Sequence, residues 1–399
     1  MSKKKANNEG SIVKRTDGRY MGRYTLNGKR YAVYGETFDD VRIKLAEKLA
    51  DISKGICSSP SLTVSQWLRE WLEIYALPTI KQSSYISYES YARIHLQPTL
   101  GAYKLTALSV EQLQRFFNQK RKGDTEHKPL SPKSLRNIYN MLHLCLDQAV
   151  INGHLLRNPL FGVKLPAVTK KEIAILTLEE QAALHSAADR SITPAAFGII
   201  FTLSTGIRLG ELLGLQWGDL DYENQAIRIR RTVGRLQRID ESGQLIPKGL
   251  GIPTTEIVAR SPKSKNAQRT IPLFPKVWND LMIYRDKQKD LFTLLGIAPT
   301  STTPIFSTPL GLMYEPRTYE DLFKRTLKEA KVPDINFHAL RHTFATRALE
   351  AGMDIKVLSS ILGHAQASTT LNLYAHALPD HKRVSMEKMG KYYRKPLED

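Results

Sequence analysis

The chain has 399 residues, with 58 Lys plus Arg against 39 Asp plus Glu, a formal charge of +19, and 42% hydrophobic residues. That hydrophobic share excludes a disordered tail protein, and at roughly 100 to 200 residues per domain the length predicts about two to four domains with cores of their own. The excess charge must then lie on folded surfaces, where a polyanion answers it: nucleic acid first, because phosphate contacts give affinity whatever the sequence, and acidic lipid headgroups second. Cys57 and Cys145 are too few and too far apart for a disulfide scaffold or a four-ligand zinc site, which predicts a reducing, cytoplasmic setting. The polar, Lys-rich segment Met1–Gly10 lacks the apolar core of a secretory signal. The most apolar stretch, Ala195–Ile207, carries Thr202, Ser204 and Thr205 and falls short of the ~18 to 20 residues of a membrane span. It is expected to be a buried core helix, and no membrane partner is expected.

The first predicted unit spans residues 1–57. Arg19–Tyr24 and Lys29–Tyr34 read as short aromatic-bearing strands around Asn27-Gly28, a pair suited to the positive φ angles of a tight hairpin turn. Val41, Leu45, Leu49 and Ile52 then follow helical spacing, giving a small sheet with one helix packed on it. Met1–Gly55 holds thirteen Lys plus Arg against seven Asp plus Glu, denser in positive charge than the chain as a whole. Ser58–Leu62, with Pro60, reads as a linker.

Residues 62–162 read as a helical bundle. Val64, Trp67, Leu68, Trp71, Leu72 and Tyr75 mark one face of a helix that starts after a Thr63 cap. Ser109 with Gln112 is a capping box, and Ser131-Pro132 places proline in the first turn of a helix. That helix carries the stripe Leu135, Ile138, Tyr139, Leu142, Cys145, Leu146 and Ala149 and ends near Gly153. Val163–Lys171 reads as a second linker, and Thr177 with Glu180 opens the third unit, residues 172–399, with another capping box. Ala226–Val233 alternates as one strand, Ile227 and Ile229 on one face and Arg228 and Arg230 on the other. Further strand-like segments lead to Arg269–Leu273, and from Tyr319 onward the pattern is helical. The fold class expected is multidomain and mainly α with small β elements: a sheet-plus-helix unit, a helical bundle, and a mixed α+β domain.

Four local patterns in the third unit bear on chemistry. In Thr205-Gly206-Ile207-Arg208-Leu209-Gly210-Glu211 a glycine turn precedes a helix, so Arg208 either offers a two-pronged guanidinium to a phosphate or forms a surface pair with Glu211. Pro262-Lys263-Ser264-Lys265, ahead of Arg269, reads as a basic hairpin tip whose lysines reach a backbone, donate a proton, or simply aid solubility. In His338-Ala339-Leu340-Arg341-His342, His338 and Arg341 project from the same side of a helix, at a site or at an ordinary surface. Leu362-Gly363-His364 followed by Tyr374 is either a helix end and a core aromatic, or a phosphate hydrogen-bond donor and a nucleophile. A tyrosine, with a reference pKa near ~10, needs a strongly positive site to react as phenolate.

In this order the four patterns resemble the tyrosine recombinase (phage integrase) family, over about Ile173–Lys391. The helical segment 62–160 resembles that family's core-binding domain, and the amino-terminal sheet and helix resemble the arm-binding domain of integrases from phages and conjugative transposons. The resemblance implies that Arg208 and Arg341 clamp a scissile phosphate, His338 and His364 hydrogen-bond it and assist proton movement, and Tyr374 attacks to form a 3′-phosphotyrosyl link. Lys263 protonates the leaving 5′-oxygen, with Lys265 the alternative two residues away. Neither a G-x-x-x-x-G-K-[ST] loop nor a carboxylate-rich metal motif is present, so no cofactor is expected. The candidate DNA contacts are Arg228, Arg230, Arg231 and Lys265, together with Arg19, Arg23 and Lys29 in the first unit. Arg228, Arg230, Arg231, Arg235 and Arg238 contain no acidic neighbour among them and are expected to lack local neutralisation.

The function expected is integration and excision of a mobile element, on double-stranded DNA at core and arm sites, by a homo-oligomer, implied to be a tetramer. A small excisionase or a host DNA-bending protein is the implied further partner. A resolvase or telomere-processing enzyme of the same chemistry and a non-enzymatic DNA-binding regulator are the alternatives, and the intact Arg, Lys, His, Arg, His, Tyr order argues against the last. Residues after Tyr374, with Val384, Met386 and Met389 near helical spacing, are expected to form a tail that docks on a neighbouring subunit or on its own domain.

Overall fold

The computed structural model describes residues 10–26, 29–53, 62–123, 128–168, 174–240, 243–246, 252–261, 268–364, 386–387 and 389–390. It comprises two compact units: Met1–Lys170 with Ile239–Ile246, and Lys171–Arg238 with Pro247–Asp399.

The first unit contains two separate apolar cores. The smaller belongs to an antiparallel sheet of β1 (Ser11–Lys14), β2 (Tyr20–Leu26) and β3 (Lys29–Gly35), covered by α1 (Phe38–Ser53). β1 is an addition to the two strands read from the sequence: it is only four residues long, and its pairing with β2, Ser11 opposite Arg23 to Lys14 opposite Tyr20, makes it a strand. The β2–β3 register puts Leu26 opposite Lys29, which brackets the expected turn; Asn27-Gly28 itself lies outside the described residues. Tyr24, Val33 and Leu45 pack between sheet and helix. By strand alternation Arg23 and Tyr34 are turned the other way and exposed. Arg19 is exposed and pairs with Asp17 at 3.3 Å; the side chain of Lys29 lies outside the description.

The larger core is helical. α2 (Val64–Trp71), α3 (Gln82–Tyr91), α4 (Gln97–Leu100), α5 (Val110–Lys122) and α6 (Pro132–Ile151) enclose the expected Trp67, Leu68, Leu135, Ile138, Leu142, Cys145 and Leu146. The expected Ser109 capping box forms, Gln112 N donating to Ser109 Oγ at 3.2 Å, and the Thr63 cap proves to be a box as well, Gln66 N donating to Thr63 Oγ1 at 3.2 Å. Ser131 caps α6 with Pro132 in its first turn. The sequence reading assigned no helix to 82–91, because its polar residues mark no apolar stripe; Tyr85 alone is buried there.

The second unit packs α7 (Leu178–Asp189), α8 (Phe197–Thr205) and α9 (Leu209–Gly214) with α10 (Pro275–Leu294), α11 (Pro316–Glu329), α12 (His338–Glu350) and α13 (Ile355–Leu362). Helix α7 opens with the expected box, Glu180 N to Thr177 Oγ1 at 3.2 Å. Helix α8 is buried almost throughout, as expected of 195–207, and among the described residues no helix is long and apolar enough to cross a membrane. Helix α10 was not read from the sequence, although Val277, Trp278, Leu281 and Tyr284 bury one face of it.

The strands of this unit correct one expectation. Ala226–Val233 is not one strand. β5 (Ala226–Ile229) joins β4 (Leu220–Asp221) and β8 (Arg269–Pro272), whereas β6 (Thr232–Gln237) pairs only with β7 (Thr255–Arg260). The break at Arg230-Arg231 lies where Arg231 turns onto Asp219 and the Gly214 carbonyl. Arg260 pairs with Thr232 and Arg269 with Ile229; the basic hairpin tip expected at Lys263 and Lys265 falls between these two positions. Both lysines lie outside the described residues, as do Tyr374 and Val384; Met386 and Met389 are described and exposed.

Candidate active site

Two glycine turns build the site. Helix α8 ends at Gly206 and α13 at Gly363, each with φ of +65°, the left-handed region that costs a side-chain-bearing residue clashes and glycine nothing. A Cβ on Gly206 would come within 2.4 Å of the Phe344 ring, so close packing as well as conformation excludes any other residue. Two residues beyond the first turn, Arg208 occupies the position before α9; one residue beyond the second comes His364.

Arg341, on α12 and 1% exposed, joins the two turns. Its Nη1 donates to the Gly206 carbonyl at 2.9 Å and its Nη2 to the Leu362 carbonyl at 2.7 Å. The same Nη2 lies 2.9 Å from His364 Nε2. A guanidinium only donates, so Nε2 is the acceptor and the ring proton of neutral His364 resides on Nδ1. Burial, then the charges of Arg341, Arg208 and Arg269, pull His364 down to a pKa of about 4. His338, one turn before Arg341 on α12, is lowered by burial first and by the Arg341 and Arg208 charges next. Its ring meets His342 edge-on at 4.8 Å, and His342, lowered to about 4 by burial and then by His338 and Arg341, is a second neutral imidazole here. The structure thus brings Arg208, His338, Arg341 and His364 to one place, as the family resemblance implied.

Glu211 was read from the sequence only as a surface partner of Arg208, and that is corrected. The carboxylate is buried, at 3% exposure, and accepts from Arg208 Nη1 at 2.8 Å. Burial alone would raise its pKa, but hydrogen bonds and charge from Arg269, with the charge of Arg208, hold it below the usual carboxylate range. The sequence signal was present in the i,i+3 spacing; its burial was not.

The arginine ladder differs from expectation. Arg228 meets Asp221 at 2.7 Å, Arg231 meets Asp219 at 2.5 Å, Arg235 meets Glu315 at 2.9 Å and Arg238 meets Glu256 at 3.8 Å. Every one finds a carboxylate from another segment, so the premise of missing local neutralisation fails. Arg230 has the longest such separation, 3.9 Å to Asp219, and is half exposed. Replacing Arg230 by alanine is expected to reduce the slope of log affinity against log salt by about 0.9, the loss of one phosphate contact, with little effect on melting. Arg231→Ala, which takes the nearest cation from the buried Asp219, is expected to lower the melting temperature and leave the slope alone. Binding titrations across salt and thermal melts of both variants check this; a slope unchanged in Arg230→Ala places that residue away from the duplex.

Residues 169–381 match the model of the phage integrase family, and residues 63–121 that of the phage integrase N-terminal SAM-like domain. The chain belongs to the phage integrase family: it is a tyrosine recombinase, an enzyme that cleaves and rejoins DNA through a tyrosine. Among its relatives, the tyrosine recombinase XerC-like protein of Caldanaerobacter subterraneus subsp. tengcongensis is 29% identical over 91% of this chain and 93% of its own length. The transposase from transposon Tn916 of Enterococcus faecalis is 27% identical over 98% of both. The Tn1549 transposon integrase, solved in complex with a circular intermediate DNA, shares the fold with a TM-score of 0.65 at 24% identity, over 82% of this chain and all of that one.

Proposed function

We propose that this recombinase integrates and excises a mobile element, with Tyr374 as nucleophile and Arg208, Arg341, His338 and His364 around the scissile phosphate. The observation that carries the assignment is the pair of bonds from Arg341 to the Gly206 and Leu362 carbonyls, which holds the turn leading to Arg208 and the turn bearing His364 on one guanidinium. Negative charge gathers on the non-bridging oxygens as a phosphodiester is exchanged, and preorganised guanidinium and imidazole donors stabilise it. In the first step Tyr374 Oη gives its proton to a neutral histidine of the site and bonds to phosphorus, the bond to the 5′-oxygen breaks, and that oxygen takes a proton from Lys263. In the second, the 5′-hydroxyl of another strand returns a proton to Lys263 as it attacks the phosphotyrosine, and Tyr374 leaves, recovering its proton from the histidine. One phosphodiester replaces another, so no nucleotide is consumed.

Support for the mobile-element setting comes from relatives named as the transposase of Tn916 and the integrase of ICEBs1 in Bacillus subtilis. Lambda integrase, which shares this fold with a TM-score of 0.53, has been solved as a dimer on a core site and as a tetramer on a Holliday junction. By that analogy the protein works as a tetramer on duplex DNA, its bundle, residues 62–162, and catalytic domain, residues 172–399, binding core sites and residues 1–57 reading arm sites. The exposed Arg23 and Tyr34 on the open face of the small sheet suit that last role. A small excisionase or a DNA-bending protein completes the excision reaction in this scheme. The direct test is to trap wild-type protein on a nicked suicide core-site duplex and map the DNA-linked peptide. A phosphotyrosine adduct at Tyr374 is the expected result; no adduct, or one at another tyrosine, overturns the assignment.

A further inference from the structure

A second arginine spans the same two segments as Arg341, and none of the roles above uses it. Arg269 opens β8, and its side chain is 5% exposed. Its Nη1 and Nη2 donate to Glu211 Oε1 and Oε2 at 3.2 and 2.9 Å, and its Nε donates to the Ile361 carbonyl. Glu211 in turn accepts from the Arg208 side chain at 2.8 Å and from the Arg208 backbone N–H at 3.2 Å. Four donors thus fill the two carboxylate oxygens, whose capacity is about four. Ile361 directly precedes Leu362, whose carbonyl takes Arg341. Successive carbonyls at the end of α13 are therefore held by two arginines, one reaching back to the Gly206 turn and the other to Glu211.

We propose that Arg269 is a positioning residue for strand cleavage, fixing Arg208 and the His364 turn relative to one another through Glu211 and the Ile361 carbonyl. The inference rests on the placement of Arg208 and His364 at the scissile phosphate. Three donors in a rigid planar fork meet a carboxylate and a carbonyl at once, which a lysine ammonium on a flexible stem does not reproduce. A buried ion group of this kind adds little net stability, because desolvation offsets the attraction. Its consequence is geometric and electrostatic. With Arg269 present, Glu211 is shared between two guanidiniums; without it, the whole carboxylate charge falls on Arg208, cancelling the charge that Arg208 presents to a phosphate. The end of α13, and with it His364, also loses one of its two ties.

The test is single-turnover formation of the covalent complex by the full chain on a suicide core-site duplex, in wild type, Arg208→Ala, Arg269→Ala and Arg269→Lys. Arg269→Ala is expected to cleave about 10²-fold more slowly, the usual cost of an ångström-scale misplacement, with duplex affinity within about threefold of wild type. Arg269→Lys, which keeps the charge but not the fork, is expected to be at least about tenfold slower. The distinguishing readout is a duplex with a methylphosphonate at the scissile position. Its phosphorus centre carries no charge for Arg208 to neutralise, so the deficits of Arg208→Ala and Arg269→Ala are both expected to shrink on it. A deficit of equal size on both substrates means damage that does not act through Arg208 and overturns the proposal, as does a wild-type rate in Arg269→Ala when Arg208→Ala has lost cleavage. If Arg208→Ala also cleaves normally, the phosphate assignment itself fails. Should Arg269→Ala not fold by circular dichroism, Arg269→Lys decides: slow cleavage that improves on the methylphosphonate supports positioning, and a wild-type rate overturns it.

Discussion

Arg341→Ala is expected to slow strand cleavage on the order of 10³-fold, while binding to a core-site duplex weakens only a few-fold. The asymmetry follows from number: one guanidinium among many phosphate contacts contributes little to affinity, yet under the proposed assignment it meets the one phosphate where charge develops. Arg208→Ala is expected to fall comparably, and the double variant to be scarcely worse than either single, because residues acting as a unit on one group are strongly non-additive. Arg341 also holds the Gly206 and Leu362 carbonyls, and stranding a buried acceptor costs about 1–3 kcal/mol. Rates are therefore compared well below the melting temperature of the variant. A further sign distinguishes loss of charge from loss of fold. The Arg341 cation is, after burial, the next cause of the low His364 pKa of about 4. Removing it lets that pKa rise, so the acid limb of the pH–rate profile is expected to move to higher pH. Near-normal turnover in Arg341→Ala contradicts its place at the phosphate.

The second large effect concerns the lysines carried between Arg260 and Arg269. The leaving 5′-oxygen must gain a proton, which a guanidinium with its pKa above ~12 donates poorly and an ammonium supplies. If Lys263 is the acid, Lys263→Ala is expected to lose about 10²–10⁴-fold in cleavage of ordinary DNA. A 5′-bridging phosphorothiolate needs no such acid because sulfur leaves readily, so Lys263→Ala is expected to cleave it almost as fast as wild type. Lys265→Ala remains active on both. Rescue of Lys265→Ala instead moves the role by two residues, and rescue of neither removes proton donation from these lysines. The pairing of Arg269 with Ile229 bears on the design, since it fixes where the chain returns to the sheet however the lysines are arranged between.

The sequence by itself determined what depends on neighbours in the chain. The stripes of α2 and α6 and the capping boxes at Thr63, Ser109 and Thr177 are set within three or four residues, and each formed as its spacing required. The order of Arg208, His338, Arg341 and His364 was likewise legible, because each belongs to a short motif at a helix end or on one helix face. Only the tertiary structure decided the partners that lie far apart. Arg235 meets a carboxylate 80 residues away, and Arg269 meets Glu211 across 58. No local pattern announces such a pair, since a charge beside other charges in sequence gives no sign of what the fold brings against it. The same holds for the strands. Alternation made Ala226–Val233 look continuous, yet strand pairing is a property of two segments: its first half pairs with β8 and its second with β7, and the break falls at Arg230-Arg231, where the Arg231 side chain reaches Asp219 and the Gly214 carbonyl. Burial of Glu211 belongs to this second group as well. Its i,i+3 spacing to Arg208 was visible in the chain, but its place between two guanidiniums required β8 and the end of α13 to close over it.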